Sequence, residues 1–206
     1  MRSEALFRTI TFALLVAIWV TRGFFSWRHG QIRKRFQLDR EVVAREGRAL
    51  IAVRVALFFA FLAGLALYAL RPAWIDRVAL PLPGWLRWAG AALALASLPL
   101  LAWTHVVLGR YWSVNLRLAE EQPLLTGGPY RWVAHPMYTA LFAFMIGMSL
   151  VSASPLFAVP SLGAIVALTI RIPREERMMV ERFGERYREY RSRVGGLVPR
   201  MTTLRG

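Results

Sequence analysis

Polar residues of the C-terminal half lie at the ends of apolar runs, where they can form one chemical site. His135 and Tyr138 open one apolar run, and Arg171 and Glu175 follow the next. Ionisable groups at the edge of a membrane span are costly to bury and usually serve a function. Further polar residues precede this group in the sequence: Asn115, Gln122 and Tyr130.

Each of these residues also has a purely structural interpretation. His135 precedes Pro136 and can cap a helix that has the proline in its first turn. Glu175 and Glu176 follow Pro173 and would complement the dipole of a helix that begins there. Tyrosine and tryptophan are common at membrane interfaces. The residues therefore predict a site through their combination, since no single one of them requires it.

Several common kinds of functional site have no counterpart in the sequence. The 206 residues include no cysteine, which excludes disulfides and thiolate metal ligands. A glycine-rich dinucleotide fingerprint, a Walker loop and a zinc-ligand spacing are also missing. His29, His105 and His135 do not recur at helical spacing, which argues against a pair of axial haem ligands. We therefore expect no metal.

Long apolar runs predict the helices that position the polar residues. Three runs are each long enough to cross a bilayer as a helix, and they cover residues 7–25, 50–70 and 85–108. Two shorter runs, 137–151 and 156–170, are separated by a Ser-Ala-Ser-Pro turn and predict a helical hairpin. Beyond Pro173 the apolar residues recur on one face of a charged helix.

The predicted fold is an all-α polytopic membrane protein with about five transmembrane helices, the last two forming the short hairpin. Residues 1–108 form an N-terminal three-helix membrane region. Residues 109–206 contain a cytoplasmic loop, the helical hairpin 135–171 and a cytoplasmic, amphipathic C-terminal helix over 174–194.

Basic residues predict the orientation in the membrane. The chain has 27 basic and 12 acidic residues, and 20 of the basic residues lie in three stretches, 28–48, 109–134 and 171–206. Positively charged loops remain in the cytoplasm, so we expect the C-terminus and the polar site there. Because the arginines alternate with apolar runs, they favour contact with an anionic leaflet over nucleic-acid binding. Arginine-rich and lysine-poor usage is typical of a GC-rich, bacterial genome, so we expect a bacterial inner membrane.

Residues 105–200 carry a motif set that resembles the isoprenylcysteine carboxyl methyltransferases and the related phospholipid methyltransferases. The motifs are Gly128-Pro129-Tyr130, His135-Pro136-Met137-Tyr138, Glu175-Glu176 and Phe183-Gly184 with Tyr187 and Tyr190. The resemblance implies a membrane-embedded methyltransferase core over 109–206. It also implies that S-adenosylmethionine is used without a Rossmann domain.

The resemblance further implies roles for individual residues. Arg171 and Glu175 would be catalytic, with Arg171 facing the methyl acceptor as a bidentate clamp for a carboxylate. Glu175 would hold the cofactor's ammonium, and His135 its carboxylate. Ala134 stands where the family commonly has arginine. The cofactor-binding residues would be Asn115, Gln122, Pro123, Leu124, Leu125, Tyr130, His135, Pro136, Met137, Tyr138 and Glu175.

Three functions fit these patterns. The first is methyl transfer to the carboxylate of an isoprenylated cysteine or a similar lipid-like acceptor that reaches the site from the bilayer. The second is methylation of a phospholipid amine, with Glu176 as general base. The third, of another class, is a non-catalytic membrane subunit that keeps the scaffold.

Overall fold

Six α-helices make up most of the part of the chain that the computed structural model describes, which is residues 2–28, 43, 46–72, 74–111 and 122–200. In chain order they are α1 (Arg2–Arg28), α2 (Arg48–Leu70), α3 (Gly84–Leu108), α4 (Pro136–Ser152), α5 (Pro155–Phe183) and α6 (Glu185–Arg193). Short 3-10 turns cover Ile75–Val78, Gly109–Tyr111 and Gly128–Arg131. An isolated parallel β-bridge joins Val133 to Gly195. The predicted all-α class is confirmed.

The length and composition of the helices fit a membrane. Among the described residues, α1, α2, α3 and α5 are long and apolar enough to cross a bilayer, and α4 is a shorter apolar helix. Large apolar side chains such as Phe59 and Val159 point outward, with 62% and 68% of their surface exposed. An apolar exterior of this extent is stable in lipid rather than in water. The chain is therefore an integral membrane protein, as predicted.

The turn between α4 and α5 has the structure that its sequence predicts. Ala153 ends α4 in the left-handed conformation, with φ 48° and ψ 37°. The Ser154 hydroxyl accepts a hydrogen bond from the backbone N–H of Leu156 at 3.3 Å, and Pro155 opens α5. A serine at the N-cap and a proline at the first helical position both favour the start of a helix. The two helices consequently run antiparallel over a short connection.

The bounds predicted for the C-terminal helix, 174–194, are wrong. Pro173 does not start a new helix, because α5 continues through it from the membrane to Phe183. A proline removes one backbone hydrogen bond, and α5, which packs against α2 and α4, can tolerate that loss. The break occurs instead at Gly184, which has φ 57°. Arg171 and Glu175 thus lie one turn apart on a single uninterrupted helix.

Close packing of α3 against α4 depends on two glycines. A Cβ atom on Gly147 would lie 2.5 Å from the carbonyl oxygen of Gly90 and 2.6 Å from the backbone nitrogen of Ala94. Both distances are shorter than any real contact, so the two backbones touch. Small residues permit such an approach, which gives dispersion contacts that a lipid environment does not replace. This pair is the most extensive helix contact in the described structure.

An arginine at the other end of the bundle ties α1 to the hairpin. Arg87 is buried, and its Nε donates to the carbonyl oxygen of Val151 at 3.1 Å. Its Nη1 donates to Glu4 at 2.5 Å, and its guanidinium lies 4.0 Å from the ring centroid of Phe7. These contacts fix the first turns of α1 against α3 and α4. The second half of α1 then runs beside the polar site.

Candidate functional site

A cavity of about 710 Å³ lies between the helices and reaches from their polar ends into the apolar interior. Its volume is in the range of pockets that hold cofactors and small ligands. Its polar wall is formed by Arg22, Arg54, Gln122, Tyr130, His135, Tyr138, Arg171, Glu175, Tyr187 and Tyr190. Its apolar wall includes Phe58, Phe61, Phe144, Met148 and Phe157. The cavity therefore offers one compartment for a polar ligand and an adjoining one for an apolar chain.

Glu175 is positioned by a contact between α4 and α5. The Tyr138 hydroxyl, in the first turn of α4, donates to Oε2 of Glu175 at 2.7 Å. A hydrogen bond to a carboxylate is about twice as strong as one between neutral groups. The carboxylate is thus held at the cavity wall with one oxygen oriented by Tyr138.

His135 is buried at the start of α4 and is held by a second carboxylate. Its Nε2 lies 3.2 Å from Oε1 of Glu176, and Nε of Arg191 donates to the same oxygen at 2.7 Å. Because the carboxylate accepts, Nε2 of His135 carries the proton. Any contact from His135 to a ligand's carboxylate would have to come from Nδ1, and so from the doubly protonated ring.

The segment after α6 fixes the backbone around His135. The N–H of Ala134 donates to the carbonyl oxygen of Gly195 at 2.8 Å, and that of His135 donates to Gly196 at 3.1 Å. The N–H of Gly195 in turn donates to the carbonyl oxygen of Trp132 at 3.1 Å. This ladder is the parallel bridge between the loop and the C-terminal segment. It holds the backbone of His135 against the segment that follows α6.

Buried tyrosines close the polar end of the cavity. Tyr187 and Tyr190 pack with Val194 in a cluster on α6, and the Tyr190 hydroxyl donates to the carbonyl oxygen of Tyr130 at 2.7 Å. Burial raises the pKa of Tyr190 to about 12, and it also raises the pKa values of Tyr187 and Tyr130. The phenols therefore remain neutral at ordinary pH and present aromatic faces to the cavity.

Most residues that the sequence suggested for the site line the cavity. The cavity is lined by Gln122, Leu125, Tyr130, His135, Pro136, Met137, Tyr138, Arg171 and Glu175. Pro123 is exposed, and Leu124 packs against the tyrosine cluster, so neither belongs to that lining. Asn115 lies outside the described residues.

The N-terminal helices contribute residues that the sequence interpretation did not include. Arg22 on α1 and Arg54 on α2 line the cavity beside Arg171. Both lie within the predicted membrane spans 7–25 and 50–70. An arginine inside a span is itself an indication of a functional site. Glu46, which precedes α2, is fully buried and contacts both Arg54 and Arg171.

The donor set fits S-adenosylmethionine. The cofactor has an ammonium group, for which the Glu175 carboxylate is a suitable acceptor. Its adenine and sulfonium groups favour aromatic faces, and Tyr130, Tyr187 and Tyr190 present these at the same end of the cavity. In the part of the chain that is described, no cluster of three His, Asp or Glu side chains is arranged to hold a metal ion.

These features define the class of protein: a helical membrane protein with a ligand cavity that opens from an apolar compartment to a polar one. Residues 90–181 match the sequence model of the isoprenylcysteine carboxyl methyltransferase family. The resemblance inferred from the sequence motifs is therefore confirmed for this part of the chain, which carries α4, most of α5 and the loop before them.

Two curated relatives carry the same family name. The chain is 32% identical over 88 residues to protein-S-isoprenylcysteine O-methyltransferase of Tribolium castaneum, which covers 42% of this chain and 31% of that protein. It is 32% identical over 89 residues to protein-S-isoprenylcysteine O-methyltransferase B of Arabidopsis thaliana, covering 42% of this chain and 44% of that protein. The matched region thus spans less than half the length of either relative.

One solved structure shares the fold over almost the whole chain. It is described as the eukaryotic intramembrane Ras methyltransferase isoprenylcysteine carboxyl methyltransferase. The two superimpose with a TM-score of 0.50 at 20% sequence identity, over 97% of this chain and 64% of that one. The fold similarity therefore extends to the N-terminal helices, which lie outside the family match.

Proposed function

We propose that the protein is an integral membrane methyltransferase that uses S-adenosylmethionine and methylates the carboxylate of an isoprenylated cysteine or a similar lipid-like acid. The observation that carries this proposal is the joined cavity. It places a carboxylate, aromatic faces and arginines at a polar end that continues directly into an apolar compartment.

The chain's own residues would bind and orient the two reactants. Glu175, oriented by Tyr138, holds the ammonium of the cofactor, and the buried tyrosines enclose the rest of it. When bound, the cofactor supplies a methyl group on a sulfonium. Transfer of this methyl group to a carboxylate oxygen leaves the electron pair of the broken S–C bond on sulfur and releases no proton. Catalysis then requires orientation of the two reactants and exclusion of water, to which the apolar lining of the cavity contributes.

An amine acceptor is not favoured. It would have to lose a proton, and Glu176 was the carboxylate that could accept it. Glu176 is instead held by Arg191 and His135, at 2.7 Å and 3.2 Å, and does not line the cavity. The named relatives are likewise methyltransferases of isoprenylcysteine. A carboxylate acceptor needs no base and agrees with the positively charged wall around Arg171.

The polar end of the cavity would face the cytoplasm of a bacterial inner membrane. The helix ends that surround this cavity adjoin the basic stretches 28–48 and 171–206. Basic loops stay on the cytoplasmic side, where S-adenosylmethionine is made. Labelling of single cysteines placed near residues 75 and 188 from each side of inverted vesicles tests this orientation.

Cofactor binding is the first test. Purified protein in detergent should bind S-adenosylhomocysteine in isothermal titration, and Glu175→Gln should weaken the binding by at least ~10-fold, because one charge-assisted contact is lost. Glu189→Gln, on the exposed surface of α6, is the matched control and should bind normally. Equal affinity of the wild type and Glu175→Gln would refute the assignment of Glu175.

Acceptor identity is the second test. Labelled cofactor is offered with N-acetyl-S-farnesylcysteine and, separately, with phosphatidylethanolamine. The proposal expects a base-labile methyl ester on the farnesylcysteine. Stable N-methyl label in the lipid would establish the amine alternative, and cofactor binding without transfer to any lipid acid would support the non-catalytic one.

A further inference from the structure

A buried carboxylate outside the family match lies beside the cavity. The Glu46 side chain has none of its surface exposed. Its Oε2 accepts a hydrogen bond from Arg54 on α2, and its Oε1 lies 3.4 Å from Nη1 of Arg171 on α5. A fully buried carboxylate is stable only when its charge is compensated in this way. One side chain thus holds together two guanidinium groups from different helices.

The backbone around Glu46 is also constrained to keep the carboxylate in this place. Gly47, the N-cap residue of α2, has φ 81° and its N–H donates to the carbonyl oxygen of Val43 at 2.9 Å. Glycine adopts this φ without the strain that a side chain would cause. Arg174, three residues after Arg171, donates to the backbone carbonyl of Glu46. The position of Glu46 is therefore fixed through its main chain as well as its carboxylate.

Both arginines that contact Glu46 also line the cavity. A third, Arg22, reaches it from α1. A guanidinium has five N–H donors, so a bond to Glu46 through Nη1 is compatible with a contact from the same group to a ligand. Among the described residues that line the cavity, these three arginines accompany one carboxylate, that of Glu175, which holds the ammonium of the cofactor. The wall then favours an acid over a neutral or basic group.

We propose that Arg54 and Arg171, held side by side by Glu46, together bind the acidic group of the lipid-like acceptor. Arg54 is then a specificity-determining residue from the N-terminal helices, and Glu46 is a positioning residue that acts through the two arginines. The apolar side chains of Phe58 and Phe61, one and two turns further along α2, line the cavity next to Arg54 and receive the chain of the lipid. The identity of this ligand as the methyl acceptor rests on the proposed function, whereas the acid-binding site does not.

The test measures binding of two acids, N-acetyl-S-farnesylcysteine and palmitate, and of their neutral amides, by isothermal titration in a non-ionic detergent. Arg54→Gln should raise the Kd of both acids by roughly 10- to 30-fold, because a charged contact to the acid is lost. Glu46→Gln should also raise the Kd of both acids, because the two guanidinium groups lose the carboxylate that holds them side by side, although the loss of a negative charge by itself favours an acid. Arg54→Lys should retain part of the affinity. Binding of the amides and of S-adenosylhomocysteine should stay as in the wild type, and Arg177→Gln, an exposed arginine on α5, is the charge control.

A purely structural role for Glu46 predicts a different result. Loss of folding in Glu46→Gln would weaken the amides and S-adenosylhomocysteine together with the acids, and Arg54→Gln would then carry the test alone. Unchanged Kd values for the acids in Arg54→Gln, or failure of the wild type to bind either acid, would overturn the acid-binding site. If the wild type binds both acids and the variants show the expected losses, but no methyl transfer occurs, the proposed function is overturned and the acid-binding site remains.

Discussion

The contact between Glu176 and Arg191 should contribute measurably to stability, because it joins α5 to α6 beside the buried ring of His135. Its N–O distance is 2.7 Å, and the two side chains are 28% and 29% exposed. Hydrogen bonds to charged groups contribute about 1.5–3 kcal/mol, and partial exposure reduces this. We therefore expect a coupling energy of about 1 kcal/mol between the two residues.

A double-mutant cycle measures this coupling. Glu176→Gln and Arg191→Gln are made singly and together, and thermal unfolding is followed at one scan rate in one detergent. For a chain of this size, 1 kcal/mol corresponds to about 2–4 °C in Tm. The exposed pair Arg188 and Glu185, at 3.0 Å on the same helix, is the control and should show little coupling. Additive effects of the two substitutions at 176 and 191 would refute the reasoning.

Three further predictions concern stability. Gly147→Leu should lower the free energy of unfolding by about 1–3 kcal/mol or more, because the leucine side chain overlaps the α3 backbone. Gly23→Ala should not lower the free energy of unfolding, because a Cβ at that position would meet nothing within 4 Å. Unfolding of both variants in detergent measures the difference. Arg87→Met should lower Tm more than Arg71→Met, because Arg87 is buried and Arg71 is exposed; equal shifts would contradict the role of Arg87. Tyr190 has a folded pKa of about 12, above its usual 10, so its contribution to stability is complete below pH 10 and is lost as the pH rises to 12. Tyr190→Phe should make the fall of Tm in that interval shallower, and the remaining fall comes from Tyr187 and Tyr130, whose pKa values are also raised.

The sequence was informative about elements whose pattern is local. Apolar runs and the turn before Pro155 predict the helices to within a few residues, because helix length and capping are set by neighbouring side chains. The end of α5 was missed for a related reason. A proline is a local signal for the end of a helix, so Pro173 predicts a break there, although no other residue before Gly184 does. Contacts of α5 with α2 and α4 do not show in the local sequence, and the helix continues through Pro173.

The site shows the same division between local and long-range information. His135, Tyr138 and Glu175 come from motifs, and the structure brings the tyrosine to 2.7 Å from the glutamate. The partnership of Glu46 with Arg171 joins residues 125 positions apart in sequence. No spacing rule relates two such residues, since their contact depends on how α2 packs against α5. The capture of Glu176 by Arg191 likewise follows from the bend at Gly184.

The unequal lengths of the two hairpin helices have a consequence for the depth of the site. With 17 residues at 1.5 Å each, α4 spans about 26 Å, whereas a typical hydrocarbon layer is about 30 Å thick. Only Ile146 of α4 is exposed, because α1, α3 and α5 cover the rest of this helix. The short length of α4 is therefore met by protein and not by lipid. His135 and Tyr138, at the start of α4, can lie below the membrane surface without any thinning of the bilayer.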